Sequence, residues 1–216
     1  MQGRSPQSIV FELSNPTTAA DEQAIHDWHA SVRIPAATGG ALTHATRFVN
    51  ASTRGGDRQP RLLTLFESDA RDVEAAWEEL GSHATALHPR ERLVHRWFVG
   101  AMRTPLPAPE SGRSTRGLLI GVTDPSSDAD VETFDRFYND VHAAETVASP
   151  HYWSAQRYRR IDAQGGPCEY VALYQSVGTE PETFDRFYAE TAISPLIPEF
   201  VIRHVWKFNL VDTQDS

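Results

Sequence analysis

Tyr138 and His142 stand four residues apart in the run ETFDRFYNDVHAAE, residues 132–145. Four residues make about one helical turn, so a phenol and an imidazole become neighbours on one face. Phe134, Phe137, Tyr138 and Val141 recur at i, i+3, i+4 and i+7, the apolar stripe of an amphipathic helix. An imidazole with a pKa near ~6.5 takes up and returns a proton close to neutral pH, while a phenol or guanidinium beside it stabilises the anion formed in between. That set would do acid–base chemistry in an apolar pocket. The structural alternative is plainer: the tyrosine is core and the histidine caps a helix end.

The pattern has an earlier counterpart. Ile25, Trp28, His29 and Val32 form the same stripe, His29 falls where Tyr138 does, and Arg33 takes the place of His142. His29 is a candidate second acid or base or a satisfied core histidine. Arg33 is a candidate bidentate holder of a carboxylate or phenolate. Arg47 and Arg157 occupy matching strand positions, where a guanidinium must find an anion or pair internally; Arg157 is the candidate anion holder for the pocket. Trp28, Tyr152 and Trp153 are candidate pocket aromatics, and His44 lies on a strand whose register decides its side.

Other chemistries lack their residues. There is no HExxH, HxH or Cys-His set, so a protein-bound metal is not expected. The Gly-Gly pairs at 39–40, 55–56 and 165–166 sit in turns and make no nucleotide-binding loop. There is no GxSxG elbow, and Cys168, the one cysteine, has no evident base partner and excludes an internal disulfide. No cofactor is expected.

The elements that must position these groups follow from pattern and punctuation. Strands are expected at Ile9–Leu13, Leu42–Asn50, Arg61–Glu67 and Arg92–Met102, with a polar hairpin loop over Ser52–Pro60. One helix carries the Ile25 stripe and should end before Pro35; a second spans about Asp69–Gly81. A Pro/Ser-rich linker covers 104–116. The order then repeats: strand Gly117–Thr123, helix Ala129–Ala144, strands Trp153–Arg160 and Cys168–Ser176, helix Pro181–Glu190 and strand Phe200–Leu210.

Residue correspondences support two copies of one unit: Ala45, Arg47 and Phe48 match Ala155, Arg157 and Tyr158, and LLTLFES at 62–68 matches YVALYQS at 170–176. The expected fold is α+β, a duplicated ferredoxin-like unit (β-α-β-β-α-β twice) with the two sheets packed face to face. The first copy covers 1–103 and the second 117–216.

The 216 residues carry 40% hydrophobic and 10% aromatic side chains and a net charge of -9. That suffices for a core and argues against nucleic acid as a partner. With no ~20-residue apolar run and no secretory leader pattern, a cytoplasmic chain and no membrane contact are expected.

The run FYNDVHAAETVASPHYWSAQRY at 137–158 resembles the aromatic-Tyr-x-x-Val-His … Pro … Ser-Ala-x-Arg-Tyr pattern of the EthD-like branch of the dimeric α+β barrel superfamily; WHASVRIPAATGGALTHATRF at 28–48 is similar more loosely. The resemblance maps the family histidine onto His142 and the strand arginine onto Arg157, and Arg33 departs from it. It implies cofactor-independent monooxygenases, cyclases, decarboxylases, dehydratase-like lyases, isomerases or haem-handling proteins. The leading expectation is a cofactor-independent lyase or isomerase acting on a small hydrophobic, aromatic or polyketide-like substrate. His142 would be the acid/base, Tyr138 or His29 the polarising donor, and Arg157 or Arg33 the anion holder. The alternatives are a cofactor-free monooxygenase on a phenolic substrate and a non-catalytic haem or metabolite binder with His29, His44 or His142 as axial ligand. The chain would act as a monomer with an internal pseudo-dimer, or as a homodimer.

Overall fold

A computed structural model describes residues 4–51, 59–102, 114–162 and 169–211. Most of the expected 52–60 loop and 104–116 linker, and Cys168, lie outside the described residues. The chain divides into two compact units: an N-terminal unit made mainly of Pro6–Gly100, which also takes residues 160–162, and a C-terminal unit made of most of the chain from Ala101 to Asn209.

The N-terminal unit runs β1 (Ser8–Pro16), α1 (Glu22–Trp28), a π turn at His29–Arg33, α2 (Ile34–Ala37), β2 (Leu42–Asn50), β3 (Leu62–Ser68), α3 (Val73–Glu78), α4 (Ser82–Thr85) and β4 (Glu91–Ala101). Its antiparallel strand order is β2-β3-β1-β4. Strand alternation divides β1: Val10 joins Ala37, Leu42, Phe66, Val73 and Trp77 in the helix-side core, while Ile9, Phe11 and Leu13 point the other way and are equally buried. Asp72 accepts from the Ala75 N–H at 3.0 Å and starts α3.

The first helix does not stop at Pro35, contrary to the sequence expectation. The π turn ends at Arg33, and Pro35 falls directly after it in the first turn of α2, where the widened turn accommodates a residue with no N–H to donate. Gly39, at φ +103°, then turns the chain into β2.

The C-terminal unit repeats this order with β5 (Gly117–Pro125), α5 (Val131–Phe137), a π turn at Tyr138–His142, α6 (Ala143–Ala148), β6 (Ser154–Arg160), β7 (Tyr170–Ser176), α7 (Glu182–Glu190) and β8 (Phe200–Leu210). Its strand order is β6-β7-β5-β8. The registers agree in detail. Ser8 lies opposite Ser68 and Gly100, as Gly117 lies opposite Ser176 and Asn209. The β1–β4 and β5–β8 pairings slip register at the corresponding place, after Leu13 and after Val122. Glu12 therefore corresponds to Gly121, Ser14 to Thr123, Phe66 to Tyr174, Glu91 to Phe200 and Arg96 to Val205. On the helices, His29 corresponds to Tyr138 and Arg33 to His142.

Candidate active site

A cavity of about 290 Å³ lies between the helices and the sheet of the C-terminal unit. The sheet contributes Leu119, Gly121, Thr123 and Tyr174 with Phe200, Ile202 and Val205; the helices contribute Tyr138, His142, Phe184 and Tyr188; residues 193–196 close a further side. Among the described residues its lining includes no Asp, Glu, Lys or Arg.

Tyr138 and His142 open and close the π turn. Such turns recur at functional sites, but the same turn at His29–Arg33 makes it a property of this fold rather than a mark of the cavity. Aromatic rings hold the imidazole. It lies edge-on to Tyr138 at 5.3 Å and to Phe200 at 5.5 Å, and stacks on Phe137 at 6.3 Å. Its Nδ1 is buried without a hydrogen-bond partner. Burial pushes the His142 pKa down to about 4, with the Glu145 charge opposing and the Arg157 charge assisting. The ring is therefore neutral at physiological pH.

The Tyr174 hydroxyl donates to the Tyr138 oxygen at 3.1 Å. Burial raises both phenol pKa values, so the pair is a neutral donor chain. Gly121 lies beside it, where an added Cβ would stand 3.4 Å from the Tyr138 oxygen, an ordinary contact distance. Glu145, three residues after His142, accepts from the Ser194 N–H and O–H, both at 2.7 Å, and so ties the 193–196 segment to the helix that carries the histidine.

Other residues singled out from sequence lie away from the cavity. Arg157 is buried, with Nη2 2.8 Å from Asp135 and Nη1 donating to Asn139 at 3.0 Å. It stacks over the Tyr138 ring at 4.2 Å, and thus supports the tyrosine from behind rather than facing a ligand. Trp153 is buried in the run leading into β6. Tyr152 is also buried and donates to Glu180 at 3.0 Å. Glu180 is pushed up to about 7 by burial, against hydrogen bonds from Tyr152 and the Phe184 N–H.

In the N-terminal unit the corresponding positions are filled by the protein's own ions. Arg33 is fully buried and bonded through both terminal nitrogens to Glu12; Arg96 adds 2.8 and 3.0 Å contacts to the same carboxylate. His29 lies 2.9 Å from Glu91, which also accepts from Ser14 at 2.5 Å. Burial brings His29 down to about 4 against the Glu91 hydrogen bond. The expectation that Arg33 holds a substrate anion is corrected here, because its anion is Glu12. Trp28 packs edge-on against His29 at 5.1 Å and His88 at 5.7 Å. His44 is exposed on β2, and Arg47 is buried.

Sequence reading missed Tyr174, Gly121, Thr123 and residues 193–196. The first three were traceable as exchanges against Phe66, Glu12 and Ser14 once register was known. Residues 193–196, outside any helix or strand, gave no periodic signal. Among the described residues there is no cluster of three or more His, Cys, Asp or Glu suited to a metal, and no helix long and apolar enough to cross a membrane.

No protein-family model and no curated protein matches the chain. Solved structures do. A candidate chlorite dismutase is 11% identical, with 96% of each chain covered and a TM-score of 0.63. An anthrone oxidase-like protein is 11% identical over 98% of this chain and 94% of that one, TM-score 0.60. A haem-binding protein from Thermus thermophilus is 8% identical over 97% and 96%, TM-score 0.52. At such identities the likeness shows the fold alone, an α+β fold with antiparallel sheets. None of the three is described as EthD-like.

Proposed function

We propose that the C-terminal unit binds an uncharged aromatic or polyketide-like molecule with an acidic phenolic or benzylic hydrogen, and that His142 takes that proton in a cofactor-free oxidation. The observation that carries this reading is a neutral imidazole beside a neutral phenol pair in a cavity lined without charge. An imidazolium is costly in that setting, but not when a substrate anion forms against it, since opposite charges attract strongly where water is excluded. The Tyr138 O–H donates to the developing oxyanion, and Tyr174 supports it.

The substrate carbanion then reacts with dioxygen. The new C–O bond gives a peroxide anion, His142 returns its proton, and loss of water from the hydroperoxide leaves a carbonyl. One CH₂ and one O₂ become one C=O and one H₂O. The likeness to an anthrone oxidase-like protein favours this outcome over a lyase or isomerase, which would share the proton transfer but use no oxygen. The EthD-like motif at 137–158 fits the same reading, as does a cytoplasmic enzyme acting as a monomer or homodimer.

Haem is the group that the likeness to a haem-binding protein brings forward. A neutral His142 has the form an axial ligand needs, but the lining offers no cation for the two propionates. The cavity, as lined by the described residues, does not fit haem. Hemin added to the protein should give no His142-dependent Soret shift.

The direct test is oxygen uptake with 1,8-dihydroxyanthrone, product formation being followed by absorbance. Uptake should match product one to one and fall by about 10²–10⁴ in His142→Ala. Turnover without oxygen uptake would return the reading to a lyase or isomerase, and unchanged turnover in His142→Ala would end the assignment of His142.

A further inference from the structure

Arg47 on β2 and Arg157 on β6 occupy corresponding places, but only one is neutralised. Arg157 has Asp135 at 2.8 Å and Asn139 at 3.0 Å. In the N-terminal unit His26 stands in the place of Asp135 and Ala30 in that of Asn139, with the same spacing to the π turn. Arg47 is only 6% exposed. Among the described residues its side chain makes one hydrogen bond, from Nη1 to the Ile25 carbonyl at 3.2 Å, while Nε and Nη2 are buried with no partner, and His26 Nδ1 is likewise unpartnered.

Nε and Nη2 form one edge of the guanidinium, with parallel N–H bonds spaced for the two oxygens of a carboxylate. A buried guanidinium with a free edge is costly. The neighbouring carboxylates are committed elsewhere: Glu22 accepts two bonds from Arg61 at 2.8 and 2.9 Å, and Glu91 is held by His29 and Ser14. Ala30 is exposed, and its methyl group leaves unfilled the place that the Asn139 side chain takes in the other unit.

We propose that Arg47 and His26 form a binding site for a small monovalent anion, a planar carboxylate fitting best, which takes the place that the Asp135 carboxylate fills in the other unit. Burial lowers the Arg47 pKa to about 10 against the charges of Glu91, Glu12 and Glu22, which leaves the group a cation at neutral pH.

The test is thermal unfolding in sodium formate or sodium chloride, with ionic strength held by sodium gluconate, whose anion is too large for the gap. Wild type should gain melting temperature saturably with formate, by about 5–10 °C at a hundredfold excess over the dissociation constant. A smaller gain with chloride would identify a site that takes spherical ions too. His26→Asp should unfold higher than wild type without formate and lose the formate response. The Arg47 Nε–H resonance should move with formate in wild type, a readout independent of stability. No saturable response to either salt, or an equal response in His26→Asp, would overturn the proposal and leave the free edge to water alone.

Discussion

In the N-terminal unit the space between helices and sheet is filled by the Glu12, Arg33 and Arg96 ion set and by the hydrogen-bonded pair His29 and Glu91. In the C-terminal unit the corresponding positions hold Gly121, His142, Val205, Tyr138 and Phe200, and a cavity of about 290 Å³ opens there. The exchange of Glu12 for Gly121 matters most, since it removes a carboxylate and its volume from the strand that faces the π turn. Without that carboxylate an arginine at 142 would be a buried, unpaired charge, whereas a neutral histidine is tolerated. One frame thus makes a filled interior or an open site according to a few coupled positions.

Breaking the filled interior should have the largest effect. Glu12→Ala leaves Arg33 buried and unpaired, so the urea midpoint should fall by the equivalent of about 3–5 kcal/mol. A loss below about 1 kcal/mol would show that the ion set does not hold the N-terminal unit together.

Refilling the open one comes next. Gly121→Leu should place its side chain in the cavity and abolish binding of 1,8-dihydroxyanthrone, followed by tyrosine fluorescence quenching. Gly121→Ala, whose Cβ would meet the Tyr138 oxygen at 3.4 Å, should keep most of it. Full binding by the leucine variant would place the ligand elsewhere.

Protonation bears on both units, since burial lowers His29 to about 4 as it does His142. The folded His142 pKa is about 4, below the ordinary ~6.5, so the unfolded chain binds the proton first. Stability is complete above pH ~6.5 and declines as pH falls toward ~4, on the order of 3 kcal/mol for this one group. His142→Gln should remove that share of the slope in denaturation midpoints measured across pH 4–7. The smallest effect is expected at Ser194→Ala, which removes one of the two bonds to Glu145. Ligand release in stopped flow should quicken several-fold, with stability changed by about 1 kcal/mol.

The strands were legible in the sequence because alternation and turn residues mark them: Leu42–Asn50 and Phe200–Leu210 are found with the bounds expected. Helix ends were less so, since a π turn lets the first helix absorb Pro35. Tyr138 and His142 were visible as a one-turn pair. What the cavity needed besides them was not, because Gly121 and Tyr174 matter by facing that pair across the sheet, and facing depends on register. The pairing of Arg33 with Glu12 was hidden for the same reason: the two lie on different elements.

The central claim is that the two corresponding sites differ in kind, one catalytic and one structural. Oxygen uptake with 1,8-dihydroxyanthrone, normalised to folded protein, tests it in His142→Gln and His29→Gln side by side. The account predicts a loss of about 10²–10⁴ for His142→Gln and a rate within about twofold of wild type for His29→Gln, whose cost should appear only in stability. Equal losses, or a loss confined to His29→Gln, would contradict it.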